Sequence, residues 1–324
     1  MTHSVKGPTQ VETRSRVHYN LRVSKPLLAL VCLPLLMGGA CEKKPRSGGD
    51  TGAINALDRA GSGQGQTGPV DETPLQGIDV SAMSKEKQQL FYKLIGSLSS
   101  PCGKAHSLRT SYMQDTSCKR APFAVRLVAT MVQDEGTEPL IREDYESKYK
   151  DASPVNVDVS KAPHVGNEDA PIRLVEFFDY QCPHCQAFKP ELEKVAHANE
   201  GKVVEYFMMF PLEKHQDSKS ASMAAVAANQ FGKFKEMHDL LFSRSPQHSK
   251  EAVIGYAKEL GIDPAKFEAA YNSAAAQVAG DLGQGEAAGV EATPTLYFNG
   301  RKYEGPQIAK YLQLWIDEEL AVNR

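Results

Sequence analysis

The residues best suited to chemistry are two cysteines, Cys182 and Cys185, which are separated by Pro183 and His184. The apolar run at residues 172–178 is typical of a buried strand, and apolar residues at helical spacing follow the second cysteine. The first cysteine therefore lies where a helix is predicted to begin. Unpaired backbone N–H groups and the positive end of the helix dipole stabilise a thiolate at such a position. Because a stabilised thiolate is a good leaving group, a disulfide between the two cysteines would oxidise other thiols.

Other uses of the same spacing fit the sequence less well. A structural zinc site needs four ligands, and the sequence has no second Cys-x-x-Cys and no close pair of histidines. A c-type haem needs a histidine directly after the second cysteine, where Gln186 stands. We therefore expect no metal and no cofactor other than the redox-active disulfide. An inert structural disulfide remains the alternative, although a strand followed by a helix favours the redox pair.

The position of each cysteine predicts its role. Cys182, nearer the helix start, is expected to be the more exposed nucleophile that forms the mixed disulfide, and Cys185, one turn further along, resolves it. His184 can donate to the thiolate or favour it electrostatically, and the alternative is a solvated imidazole. His215 and His238 are predicted to be helix-surface or capping residues without a catalytic role.

Composition limits the classes of function. At 324 residues the chain has room for one large or two modest domains. Its net charge of −3 provides no general basic field, so we expect no nucleic acid partner.

Residues 1–41 are predicted to be an export signal. Basic residues precede an apolar run at 26–37, which as a helix would be about 18 Å long and too short to span a hydrocarbon core of about 30 Å. Small residues then precede Cys41, in a pattern that resembles a bacterial lipoprotein signal with the cysteine as the lipidated N-terminus. The pattern departs from the usual one because Gly38 stands where leucine is common. Cleavage at a nearby small residue without lipidation is the alternative.

The count of cysteines agrees with export. Of six cysteines, Cys32 lies inside the apolar run and Cys41 would carry lipid. The even set that remains suits an oxidising compartment and consists of Cys102, Cys118, Cys182 and Cys185.

The rest of the chain divides by composition. Residues 42–79 are rich in Gly, Ser, Gln and Asp and predict a flexible linker. Residues 80–150 have apolar spacing typical of a small helical module, in which Cys102 and Cys118 are predicted to form a structural disulfide, with a redox relay as the alternative. Strands are predicted at 172–178, 203–210, 295–298 and 301–303, with helices at 218–242, 251–260 and from 264 to about 282.

Residues 155–324 resemble the DsbA family of thiol-disulfide oxidoreductases. Three motifs carry the resemblance: Glu176 to Cys185, Phe210-Pro211-Leu212 with His215, and Val290 to Gly300. Ala292 departs from the pattern, since relatives often have glycine there. The implied fold class is α/β, a thioredoxin fold with an all-helical insertion at about 216–288, preceded here by the helical module and a disordered tether.

The resemblance also implies roles for residues outside the two cysteines. Thr293-Pro294 is expected to be a cis peptide that faces the cysteines and leaves the Thr293 backbone free to pair with an extended substrate peptide. Pro183 is expected to contact substrate beside it. Glu176 corresponds to the buried acid of the family and is expected to relay a proton to or from Cys185, the alternative being a strand glutamate paired with a surface lysine.

The predicted function is therefore a lipid-tethered oxidoreductase of the bacterial envelope, on the periplasmic side of either membrane. It would oxidise cysteine pairs in exported proteins and exchange electrons with a membrane thiol oxidase or reductase. Two alternatives remain: a reductase or isomerase on the same fold, including one for cytochrome c maturation, and a non-catalytic peptide-binding chaperone.

Overall fold

A computed structural model describes residues 69–149 and 153–323. The predicted export signal, the lipidation site Cys41 and most of the predicted linker lie outside the described residues. Within the described ranges, no helix is long and apolar enough to cross a membrane.

The first described part is a helical module with its own apolar core. Leu75 and Val80 are buried in that core, so the ordered part of the chain begins upstream of residue 80. A disulfide joins Cys102 to Cys118 and connects the loops that precede the second and third helices. The short second helix was not predicted. The helices are α1 (Lys85–Ser97), α2 (Leu108–Met113), α3 (Ala121–Gln133) and α4 (Glu138–Tyr149).

The second part is built on a five-stranded sheet of order β1-β3-β2-β4-β5. Strands β2 and β3 are parallel and central, and the other neighbouring pairs are antiparallel. The two-residue edge strand β1 lies in a stretch that carries no strand pattern of its own, because its residues are exposed. The strands are β1 (His164–Val165), β2 (Ile172–Phe178), β3 (Val203–Met209), β4 (Thr295–Phe298) and β5 (Arg301–Tyr303).

Both faces of the central strands are covered, which explains their nearly continuous apolar sequence. Helix α5 (Pro183–Ala198) follows β2, and its Phe188 and Leu192 pack over Leu174. Side chains of the opposite face, including Val175, pack in a separate cluster with Val290. Two buried acidic residues, Glu176 of β2 and Glu205 of β3, interrupt this apolar pattern.

Five helices are inserted between β3 and β4. The predicted helix at 218–242 is in fact two, because Gly232 between them takes a left-handed conformation with φ +65°. The helix predicted from residue 264 to about 282 also divides, at Ala274. The inserted helices are α6 (Ser218–Asn229), α7 (Phe234–Ser243), α8 (Lys250–Glu259), α9 (Pro264–Ser273) and α10 (Ala275–Ala288).

The last helix, α11 (Ala309–Val322), joins the two parts. It packs against α5 on one side and contributes Tyr311 to the core of the helical module on the other. Lys148 of α4 is buried against this helix, with its Nζ 3.0 Å from Glu318 Oε2 and 3.4 Å from the centre of the Trp315 ring. Burial lowers the pKa of Lys148 to about 8. The helical module is thus fixed to the sheet domain by a buried ion pair as well as by apolar contacts.

Candidate redox site

The two cysteines lie at the start of α5, directly after β2. Cys182 is the residue that caps the helix, and Pro183 occupies the first turn, where its missing N–H costs no hydrogen bond. Asp179, which is fully buried, holds this turn. It accepts hydrogen bonds from the backbone N–H groups of Gln181 at 2.7 Å and Leu212 at 2.8 Å.

Asp179 also contacts a residue of the second family motif. The Nδ1 atom of His215 lies 2.7 Å from Asp179 Oδ2, and the His215 side chain is half-buried. The segment after β3 is therefore tied to the turn that carries Cys182, and His215 acts as a structural partner of that turn.

Thr293 and Pro294 lie opposite Cys182. The peptide bond between them is cis. The Cys182 sulfur lies 3.4 Å from the Thr293 carbonyl oxygen, which accepts a hydrogen bond from the thiol when Cys182 is protonated. Strand β4 brings the two together because its Thr295 pairs with Phe177 near the end of β2. Residues 111 positions apart in the sequence thus form one site.

The two thiols differ strongly in acidity. A hydrogen bond from the Cys185 thiol, supported by Thr293 and by the backbone N–H groups of His184 and Cys185, lowers the pKa of Cys182 to about 4. Burial and the hydrogen bond to Cys182 raise the pKa of Cys185 far above its ordinary value. At neutral pH the pair therefore holds a thiolate at Cys182 and a thiol at Cys185.

Cys182 was predicted to be the more exposed of the two cysteines, but their exposed fractions differ little. Both are free thiols, with 4% of Cys182 and 1% of Cys185 exposed. Pro183 and His184 between them are exposed. His184 lowers the Cys182 pKa through its backbone N–H, because that group points along the helix axis at the sulfur.

Glu176 lies on β2 beneath α5, with 5% of its surface exposed. Burial raises its pKa, and the neighbouring carboxylate of Glu205 raises it further. The charge of Glu176 in turn raises the pKa of Cys185. Glu176 and the buried thiol of Cys185 are therefore electrostatically coupled, and the proton relay stays a prediction.

His238 is a residue for which the prediction was wrong. It is not at a helix surface: only 3% of it is exposed, and its Nδ1 lies 3.1 Å from the Tyr180 hydroxyl. Aromatic rings that include Phe178 and Phe242 surround it, and burial lowers its pKa to about 3, so the imidazole is neutral. The signal was in the sequence, since Phe234, His238 and Phe242 are spaced by four residues and share one helix face.

The donor groups of the site do not form a metal centre. Across residues 69–149 and 153–323, no three or more His, Cys, Asp or Glu side chains are placed to hold a metal ion.

Comparison with known proteins identifies the family of the sheet domain. The thioredoxin family model Thioredoxin_4 matches residues 158–318. The chain is 31% identical over 144 residues to the Na(+)/H(+) antiporter NhaA 3 of Salinispora tropica, covering 44% of this chain and 22% of that protein. It is 34% identical over 147 residues to the Na(+)/H(+) antiporter NhaA of Herminiimonas arsenicoxydans, covering 45% of this chain and 23% of that protein. The matched stretch thus spans about a quarter of these curated relatives.

Two solved structures also match this chain over about half of its length. Oxidised BdbD from Bacillus subtilis is 25% identical with a TM-score of 0.48, covering 53% of this chain and 99% of that chain. The thiol-disulfide exchange protein alpha-DsbA2 from Wolbachia pipientis is 22% identical with a TM-score of 0.43, covering 57% and 97%.

The thioredoxin fold with inserted helices, predicted from the sequence, is confirmed. The family match covers the same residues that form the sheet, the helices between β3 and β4, and the Cys-Pro-His-Cys helix start opposite a cis proline. On this basis residues 158–318 form a thioredoxin-fold domain of the DsbA family.

Proposed function

We propose that this protein is a thiol-disulfide oxidoreductase that passes its Cys182–Cys185 disulfide to cysteine pairs of exported proteins. The observation that carries this proposal is the placement of Cys182 at the start of α5, with its sulfur 3.4 Å from the carbonyl oxygen of Thr293 in the cis Thr293–Pro294 peptide. Hydrogen bonds at this position lower the pKa of Cys182 to about 4. The thioredoxin fold of the family supports disulfide exchange in general. The acidity of Cys182 supports the oxidising direction.

The reaction proceeds in two exchanges. A substrate thiolate attacks Cys182 Sγ, the bond to Cys185 breaks, and the electron pair stays on Cys185 Sγ. That sulfur takes up a proton, because burial holds its pKa far above neutral. The second substrate thiolate then attacks the substrate sulfur of the mixed disulfide, and Cys182 leaves as a thiolate. The substrate is oxidised by two electrons and the enzyme is reduced.

The acidity of Cys182 favours the oxidising direction. A thiol with a pKa near 4 is a good leaving group, which speeds the second exchange. The same stabilisation lowers the free energy of the reduced enzyme relative to its disulfide form, and a disulfide whose reduced form is stabilised is a strong oxidant. A reductase on the same fold needs the opposite, a disulfide form that is stable relative to the reduced form.

Substrate is proposed to bind as an extended peptide beside Thr293. Thr293 lies just before β4, at the end of a strand. An extended peptide at this position can pair with its main chain. Pro183 and His184, exposed beside the sulfur, complete this surface. The predicted export signal and the predicted lipidation of Cys41 support a location on the periplasmic side of a bacterial membrane. In this proposal the lipid is the anchor, and a membrane thiol oxidase is the partner that restores the disulfide.

The test is oxidation of a reduced, unfolded substrate protein by the full chain in its disulfide form. We expect disulfides to form in that substrate in proportion to enzyme, and Cys182→Ser to abolish the reaction. The Cys102→Ser, Cys118→Ser double variant serves as the matched control and should retain it. Oxidation that survives in Cys182→Ser would refute the proposal. Equal assistance to refolding by the wild type and a Cys182→Ser, Cys185→Ser variant would indicate a chaperone instead.

A further inference from the structure

One turn of the chain lies beside the cis-proline and is held by the helical module. Residues 304–308 connect β5 to α11 and are called the 304–308 turn. In this turn the Nε2 atom of Gln307 lies 3.5 Å from the carbonyl oxygen of Pro294. Pro294 follows Thr293, whose own carbonyl oxygen contacts Cys182. The 304–308 turn therefore borders the surface on which the substrate peptide is proposed to bind.

The inner side of the 304–308 turn packs against α3 of the helical module. Gly305 and Pro306 line a gap of about 20 Å³, which Phe123, Leu127 and Met131 of α3 also line. A gap of that size holds about one water molecule. The turn and the helix are therefore closely packed, and a shift of α3 would be felt by the turn.

Polar contacts with the module fix the chain at both ends of the turn. At the start, the Ser147 hydroxyl of α4 donates a hydrogen bond to the Glu304 carboxylate. Just after the turn, Asp134 forms an ion pair with Lys310 and accepts a hydrogen bond from the Tyr311 hydroxyl at 2.7 Å. Asp134 is the residue that directly follows α3. The module thus contacts this part of the chain before, within and after the turn.

The turn is also fixed to the helix that carries the cysteines. Glu191 of α5 accepts a hydrogen bond from the backbone N–H of Ala309 at 2.7 Å. Because α5 begins at Cys182, this contact and those of the module together set the position of the turn relative to the reactive sulfur.

The outer side of the turn presents an apolar side chain to solvent. Ile308 is 47% exposed, and Gln307 beside it is exposed as well. A single exposed isoleucine is ordinary on a protein surface, but this one directly follows the residue that contacts Pro294. Its β-branched side chain is stiff, so little rotamer freedom is lost when another side chain packs against it. An apolar side chain beside the reactive cysteine of a bound peptide would find its contact here.

From these contacts we infer that the helical module is a substrate-recognition element: it holds the 304–308 turn so that Ile308 contacts an apolar side chain flanking the reactive cysteine of the substrate. The inference rests on the proposed function and adds a preferred class of substrate, unfolded exported chains with an apolar residue next to the cysteine. Asp134 is a positioning residue, because it acts through Lys310 and Tyr311 and does not touch substrate.

The test uses the oxidised full chain and two reduced peptides, each with one cysteine pair, flanked by leucine in one peptide and by serine in the other. The loss of peptide thiols at increasing peptide concentration gives a half-saturating concentration and a maximal rate. For the wild type we expect the half-saturating concentration to be about tenfold lower with the leucine peptide. In Ile308→Ser this preference should fall to about twofold or less. Leu140→Ser removes a similarly exposed apolar side chain from α4 and, as the matched control, should keep the wild-type preference.

A second variant tests the module itself. Asp134→Ala should lower the preference to about threefold, through the half-saturating concentration of the leucine peptide and not through the maximal rate. Glu135→Ala is the matched control and should keep the wild-type preference, because the Glu135 carboxylate pairs with Lys87 of α1. When Asp134→Ala is added to Ile308→Ser, we expect no further effect, since both changes act on the same contact.

Three results would overturn the inference while leaving the proposed function intact. The first is a wild type that does not distinguish the two peptides, or an Ile308→Ser variant that keeps the wild-type preference. The second is an unchanged preference in Asp134→Ala, or a loss that adds to that of Ile308→Ser. The third is an Asp134→Ala variant that loses its maximal rate with both peptides, which would show a structural role only. A wild type that oxidises neither peptide would refute the proposed function instead.

Discussion

Lowering the pH from 7 to 4 should remove most of the stability that the Cys182 thiolate gives to the reduced protein. In the folded protein the pKa of Cys182 is about 4, whereas a cysteine in an unfolded chain has a pKa of about 8.5. Because the folded value is the lower one, the stabilisation is complete above about pH 8.5 and is lost as the pH falls through about 4.

The magnitude follows from the two values. At pH 7 the unfolded thiol is protonated and the folded one lies about three units above its pKa, so the thiolate contributes about 4 kcal/mol to the free energy of unfolding. At pH 4 the same group contributes only about 0.4 kcal/mol. Cys182 is buried against Thr293 and α5, so solvent screening does not reduce this value in the way that it does at an exposed site.

The assay compares urea unfolding of the reduced wild type with that of Cys182→Ser at both pH values. Both proteins carry Cys102→Ser and Cys118→Ser, so that the reductant acts on the site alone. Other groups titrate equally in the two proteins and cancel. We expect the difference in unfolding free energy to fall by about 3–4 kcal/mol from pH 7 to pH 4. A change below about 1 kcal/mol would refute the explanation of the thiolate by its hydrogen bonds and helix position.

Three further predictions concern the scaffold. The Cys102→Ser, Cys118→Ser variant should lose about 3 kcal/mol in urea unfolding, because the disulfide restricts the unfolded chain; an unchanged midpoint would contradict this. Lys148→Met should destabilise the protein by about 2 kcal/mol, since it removes one of the two cations paired with the buried carboxylate of Glu318 and leaves that charge to Arg120 alone, and a neutral effect would show that the ion pair is dispensable. Gly285→Ala should cost about 1–3 kcal/mol in thermal unfolding, because its Cβ would lie 2.6 Å from a phenylalanine ring, whereas Gly280→Ala in the same helix has open space and should be neutral or stabilising.

The sequence was most informative where local pattern and chemistry coincide. The helix start at Cys182 follows from an apolar strand, a proline suited to the first turn and helical spacing afterwards. The hairpin at Asn299-Gly300 follows from its turn residues, both of which have positive φ. In these cases neighbours along the chain decide the structure, and a single sequence records them.

Tertiary contacts decided what the sequence did not predict. In the sequence, Glu205 is only a polar residue within a predicted strand. Its proximity to Glu176 follows from the parallel register of β2 with β3. His238 reads as a polar residue on a helix, and only the packing of that helix against Tyr180 shows that it is buried. Edge strand β1 exists only through its pairing with β3, since two exposed residues carry no periodicity.

The reduction potential of the Cys182–Cys185 pair decides whether the site acts as an oxidant. It is measured by equilibrating the full chain with glutathione buffers and counting free thiols after alkylation, in the Cys102→Ser, Cys118→Ser background. Because the site stabilises the Cys182 thiolate, we expect an oxidising potential, between about −180 and −120 mV. A potential at or below about −270 mV, the range of a reductant, would contradict the claim that this site oxidises its substrates.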